Sequence, residues 1–203
     1  MEMKEIIVIG GFSEVFELCE FCGYKIFGYV DSKNIYSEYN YLGNDKEILK
    51  EFKKYNKYPI VISPDNSKVR RKLFDMYTGK GFNIISLVSP KAYVSKSAQI
   101  GKGCIIQSFC NVSCDVKLGR GVRLNTYSNI MHDVTIGDYS IIAPNSVLLG
   151  RCEIGEETYV GANATILPNV NIGSNCLIGA ASVVTKDFAD GLKVCGNPAR
   201  EMR

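Results

Sequence analysis

The chain has 203 residues, 46% of them hydrophobic, with 24 basic against 21 acidic residues and a formal net charge of +3. That length supports one large core or two small ones, and with the charges spread along the chain no basic stripe points to nucleic acid or an anionic membrane as a partner. The opening MEMKEIIVIG is too short an apolar run for a signal peptide, nowhere do 18 apolar residues run together, and the protein is expected to be cytoplasmic with its eight cysteines reduced.

Through residues 1–90 the texture changes every 10 to 20 residues. Apolar, β-type runs at Glu5–Ile9, Ile26–Val30, Pro59–Ile62 and Asn83–Leu87 alternate with helix-like stretches over Ser13–Cys22, Asp45–Tyr55 and Asn66–Tyr77. The first and last of these helices open with residues suited to capping. Such alternation predicts a small parallel α/β domain. Gly10-Gly11-Phe12-Ser13 follows the first strand and opens the first helix, where free amides and the helix dipole favour a phosphate, although this is not the GxGxxG fingerprint. Asp31 ends the second strand, and Ser63 follows the third in the stretch Ser63-Pro64-Asp65-Asn66. Both stand where loops line a ligand cleft, and Asp31 serves equally well as a turn or capping residue. Cys19 and Cys22 form a CxxC with no second pair at metal spacing, so buried thiols are expected and no metal.

From Val94 to Val184, Val, Ile or Leu recurs at every sixth residue, sixteen times in succession, against a chance on the order of one in a billion. Four places after each complete hexad's first residue stands Ala, Cys, Ser, Thr or Val, as at Ala98, Cys104, Ser140 and Thr158, so only small side chains fit there. Gly101, Gly119, Gly137, Gly155 and Gly173 recur every 18 residues, which makes three hexads one coil. Residues 91–203 are therefore predicted to form a triangular prism of parallel strands rising about 4.8 Å per coil, with residues 18 apart stacked in columns. The spacing leaves the handedness open.

The single histidine, His132, stands at an outward corner beside Asp133. Imidazole accepts a proton near neutral pH, and an adjacent carboxylate raises its basicity and fixes its tautomer. Eighteen residues on, Gly150 sets a side-chain-free backbone one coil away. A base with a backbone N–H nearby meets the needs of acyl transfer, although Gly150 could equally make only a tight corner.

The repeat resembles the hexapeptide acyltransferases, which implies a left-handed β-helix and a homotrimer. With the α/β domain, the NxxxxxxHD stretch Asn125–Asp133 and the ending Gly196-Asn197-Pro198-Ala199-Arg200, nearly the whole chain is similar to bacterial sugar acetyltransferases. That group spans sialic-acid O-acetyltransferase-like proteins and N-acetyltransferases of nucleotide-linked 4-amino-4,6-dideoxy sugars, of the bacillosamine and perosamine type. The resemblance implies acetyl-CoA as co-substrate, His132 as proton acceptor supported by Asp133, and Asn125 beside the acceptor sugar. It also implies Gly150 at the thioester carbonyl and a coenzyme A arm running between subunits past Ala162 and Ala180 towards Lys186 and Arg200. Several relatives carry a second histidine where this chain has Ile141, and a histidine in the glycine loop where it has Phe12.

Three histidines are needed for the zinc of a γ-type carbonic anhydrase on the same scaffold, and one cannot supply them. A non-catalytic trimeric scaffold that binds a nucleotide sugar stays open. So does the acceptor atom: the phosphate-type loop favours the amine of a nucleotide-linked sugar, and a hydroxyl of a sugar or sialic acid is the alternative.

Overall fold

The computed structural model describes residues 3–202, and the chain divides between Leu87 and Val88 into two compact units. The N-terminal unit is built on a three-stranded parallel sheet in the order β2–β1–β3, from β1 (Lys4–Ile9), β2 (Tyr24–Val30) and β3 (Ile60–Ile62). The central strand is apolar without alternation because both of its faces are covered, and Ile6 to Ile9 are fully buried.

Helix α1 (Ser13–Phe21) buries Val15, Phe16, Leu18 and Cys19 along one stripe. Its N-cap is Phe12 and no side chain caps it, contrary to the sequence expectation. The stretch 45–55 forms two short helices, α2 (Asp45–Lys50) and α3 (Phe52–Tyr55), broken at Glu51, and α2 starts with a full capping box from Asn44 and Glu47. Helix α4 (Ser67–Lys80) is capped by Asn66, whose side chain accepts from the Val69 amide, and it ends at Gly81 with φ +96°. The run Asn83–Leu87 is not the fourth strand its composition suggests. It meets β3 in a single parallel bridge, Ile60 with Ile84, because β3 offers it only the Ile60 N–H and C=O, and its last residue instead begins the short strand Leu87–Val88.

The C-terminal unit is a parallel β-helix whose two-residue strands stack on three faces. The face running from Ile105–Ile106 to Leu177–Ile178 is crowned by the hairpin Lys193–Gly196 and Ala199–Glu201. A second runs from Tyr93–Val94 to Val183–Val184, and the third from Gln99–Ile100 to Asn171–Ile172. The register is 18 residues throughout, as in Asn129 with Val147 and Ile130 with Leu148. The repeating aliphatic residues form a single core, fully buried at Ile130, Ile142, Leu148 and Val160.

Small inward residues also close the polar account of that core. Ser140 Oγ donates to the Gly155 carbonyl (2.6 Å), Ser146 Oγ to Gly161 (2.8 Å) and Thr158 Oγ1 to Gly173 (2.8 Å), while the thiols of Cys104 and Cys110 donate in the same way. Four of the eight cysteines, Cys104, Cys110, Cys152 and Cys176, are therefore core residues of the β-helix, and all eight are free. At the glycine corners successive coils touch: a Cβ on Gly137 would come within 2.6 Å of the Glu156 amide nitrogen.

Candidate active site

His132 is the second residue past the strand Asn129–Ile130, which turns its side chain out at the corner between the second and third faces. Its side chain is 42% exposed, and Nδ1 lies 2.8 Å from Asp133 Oδ2. Asp133 has φ +61°, the left-handed geometry that recurs at these corners, and here it turns the carboxylate back onto the imidazole. A carboxylate only accepts, so Nδ1 carries a proton in this contact, and in the neutral ring the lone pair then lies on Nε2.

Gly150 stands one coil above, and the His132 ring rests on its Cα: an added Cβ would lie 2.6 Å from Cε1 and 2.7 Å from Nε2. Among the described residues the Gly150 N–H has no hydrogen-bond partner, although the residue is buried. Among the described residues the corner amides of half-buried Ala162 and exposed Ala180 are also unpaired, as are those of Cys114, His132 and Asp138, whereas those of Arg120, Thr126, Glu156 and Ser174 donate to side-chain oxygens. A buried amide without an acceptor is a place for a ligand's oxygen.

The residues expected along coenzyme A divide between two columns. Cys114, His132, Gly150 and Lys186 follow strands of the second face, so they share its far corner, with Lys186 three coils above His132, about 14 Å at the usual strand spacing. Ala162 and Ala180 follow strands of the first face and line the other edge of the second. Six residues of chain separate the two corners, at most about 20 Å. Asn125 also precedes the second face and does not stand beside His132 within one chain. Arg200 lies on the exposed hairpin, and Ile141 is nearly buried on the first face between Arg123 and Tyr159.

Arg151 escaped the sequence reading. It sits one coil above Asp133, with Nε 3.9 Å from Oδ2, and its amide donates to the His132 carbonyl. Its signal was the 18-residue spacing from Asp133. Both side chains are about half exposed or more, so the pair is screened and adds little stability.

In the N-terminal unit, Gly10, Gly11, Asp31 and Ser63 meet at the carboxyl ends of β1, β2 and β3. The Gly11 amide, expected to be open to a phosphate, instead donates to Asp31 Oδ2 at 2.6 Å, because β2 runs parallel beside β1 and delivers Asp31 next to the loop. Asp31 Oδ1 accepts from the Ser32 amide and hydroxyl, and Ser63 Oγ donates to the Gly10 carbonyl at 2.6 Å. Tyr36, which sequence reasoning missed, lies against Gly11: a Cβ there would meet the ring at 2.6 Å. Among the described residues no group of three or more His, Cys, Asp and Glu stands together, and no helix is long and apolar enough to cross a membrane.

A parallel β-helix of hexads with a histidine–carboxylate pair at one corner, preceded by a small α/β unit, defines a class of acyltransferase. Residues 115–150 and 151–186 match the bacterial transferase hexapeptide family, and residues 5–77 match the PglD N-terminal domain. Among solved structures, the acetyltransferase domain of PglB from Neisseria gonorrhoeae FA1090, in complex with acetyl coenzyme A, is 26% identical, covering 99% of this chain and 100% of its own at a TM-score of 0.91. PerB from Caulobacter crescentus, in complex with CoA and GDP-perosamine, is 25% identical over 100% and 99% at a TM-score of 0.94. WeeI from Acinetobacter baumannii AYE is 27% identical over 98% and 100% at a TM-score of 0.85. Among curated protein sequences none matches. The chain belongs to the hexapeptide-repeat sugar acetyltransferases that carry a PglD-type N-terminal domain.

Proposed function

We propose that this protein transfers the acetyl group of acetyl-CoA directly to the amino group of a nucleotide-linked 4-amino-4,6-dideoxy sugar. The observation that carries the reading is one corner of the β-helix: an imidazole with Nδ1 on a carboxylate at 2.8 Å, resting on Gly150, whose amide has no partner among the described residues. The likeness to PerB with CoA and GDP-perosamine, and to PglB with acetyl coenzyme A, supports both substrates.

In this reaction the amine nitrogen attacks the thioester carbonyl carbon while His132 Nε2 accepts its proton. Asp133 holds the ring in the Nδ1–H tautomer and stabilises the imidazolium that forms. The oxyanion of the tetrahedral intermediate receives the Gly150 N–H. Collapse breaks the carbon–sulfur bond, gives the amide and releases coenzyme A. The amides of Ala162 and Ala180 serve the pantetheine carbonyls, and Lys186 and Arg200 serve the phosphates of coenzyme A. In this reading the protein is a homotrimer, as its resemblance to hexapeptide acyltransferases implies, and the coenzyme lies between the alanine corner of one copy and the His132 corner of the next. Gly10, Gly11, Phe12, Asp31 and Ser63 form the wall that receives the nucleotide, and Asn125 contacts the acceptor sugar. Such an enzyme works in the cytoplasm, where acetyl-CoA and nucleotide sugars are made.

Direct transfer is tested by initial rates and intact mass. Intersecting double-reciprocal plots and an unmodified protein after incubation with acetyl-CoA alone are expected, whereas parallel plots with a 42-Da adduct on the protein would exclude it.

A further inference from the structure

The side chain of Arg70, in the first turn of α4, is 1% exposed, and neither the proposed chemistry nor the helix's own hydrogen bonding requires it. Its terminal nitrogen Nη1 donates to two consecutive carbonyls, Pro64 at 2.9 Å and Asp65 at 2.8 Å. Burying a guanidinium is costly, and an apolar side chain of similar size would fill the same space without that cost. The charge therefore fixes something that apolar packing would leave free.

What it fixes is the loop after β3. The residues it holds are packed onto the loop after β1: a Cβ on Gly10 would lie 2.9 Å from Pro64 Cδ and 2.9 Å from Ser63 Oγ, and Ser63 Oγ bonds the Gly10 carbonyl at 2.6 Å. Ser63 N also donates to Ile9 O at 2.9 Å. A connected path thus runs from the buried guanidinium through Pro64 and Ser63 to Gly10, and Gly11 beyond it holds Asp31 at 2.6 Å.

We infer that Arg70 is a positioning residue for nucleotide-sugar binding: from beneath, it sets the Ser63–Asp65 loop and, through it, the glycine loop. The inference rests on the proposed function only in taking these loops as the nucleotide wall. It acts on affinity for the nucleotide sugar and leaves the chemical step in the β-helix unchanged.

The test compares wild type, Arg70→Met and Arg70→Lys in the full chain. Methionine keeps the length and apolar packing without a donor, and lysine restores donors that can serve both carbonyls. With the nucleotide amino sugar that wild type turns over, Arg70→Met is expected to raise its KM about tenfold, the scale of one or two lost hydrogen bonds. The KM for acetyl-CoA and kcat should stay within twofold, melting should be little changed, and Arg70→Lys should recover most of the loss. An unchanged KM in Arg70→Met, or a fall in kcat with equal lysine and methionine effects, overturns the inference. Hydrogen exchange needs no turnover: the Ser63 amide, which donates to Ile9 O, should speed up at least tenfold in Arg70→Met while those of β1 do not, and equal protection overturns it. Wild type that turns over no nucleotide sugar contradicts the functional reading instead, and the exchange result still decides the role of Arg70.

Discussion

His132 Nδ1 and Asp133 Oδ2 lie 2.8 Å apart on consecutive residues at one corner of the β-helix. Neighbouring side chains along an extended strand point to opposite faces, and only the left-handed backbone at Asp133, φ +61°, brings these two together. Asn is among the residue types that tolerate this conformation, so Asp133→Asn keeps the backbone and removes the charge. Its kcat is expected to fall about tenfold with the fold intact, a fraction of the 10²–10⁴ that a general base supplies, and circular dichroism beside steady-state rates checks both halves.

Gly150→Ala sets a methyl group 2.6 Å from His132 Cε1, and at this half-exposed corner the ring can swing aside. The melting temperature should change by only a few degrees, while displacement of the base lowers kcat on the order of a hundredfold. A variant with wild-type kcat would leave Gly150 as a tight corner and nothing more.

Leu148 is fully buried in the aliphatic core one coil above Ile130. Leu148→Ala should cost about 2–5 kcal/mol in a denaturant titration of the full chain, whereas Thr165→Ala, on the outer side of the same face, should cost under about 1 kcal/mol.

Burial holds the thiols of Cys19 and Cys152 at about 12 against an ordinary 9.0. At pH 8 a thiol reagent should therefore modify the exposed Cys114 and Cys195 first and leave Cys19 and Cys152 untouched until the chain unfolds. The unfolded chain releases these protons near pH 9 and the folded chain near pH 12, so their contribution to stability is complete below pH 9 and is lost as the pH rises towards 12. Unfolding midpoints measured between pH 8 and pH 10.5 should fall, and less so in Cys152→Ala.

The β-helix was legible because its constraint is periodic: a two-residue strand with one inward aliphatic leaves the same imprint every six residues, and 18-residue columns alone put Gly150 over His132. The same arithmetic would have separated the columns, since Ala162 stands 30 residues from His132, which is not a multiple of 18. In the α/β unit the contacts are tertiary and aperiodic. Nothing in the run Asn83–Leu87 announces that it bridges β3 at one residue only. Arg70, by contrast, stands at helical spacing from Leu73, Phe74 and Tyr77, so the pattern of α4 places it on the buried stripe, while the carbonyls it meets there are not legible. The Asp31 carboxylate on the Gly11 amide is likewise a product of how β1 and β2 lie side by side.

The most direct measurement is coenzyme A thiol release from acetyl-CoA with UDP-, dTDP- and GDP-linked 4-amino-4,6-dideoxy sugars, alongside sialic acid, for wild type and His132→Ala. Turnover of a nucleotide amino sugar that falls by about 10²–10⁴ in His132→Ala, a half-exposed position whose loss leaves the core intact, is the predicted result. Unchanged turnover in the variant, or turnover of the sialic acid hydroxyl alone, would contradict it.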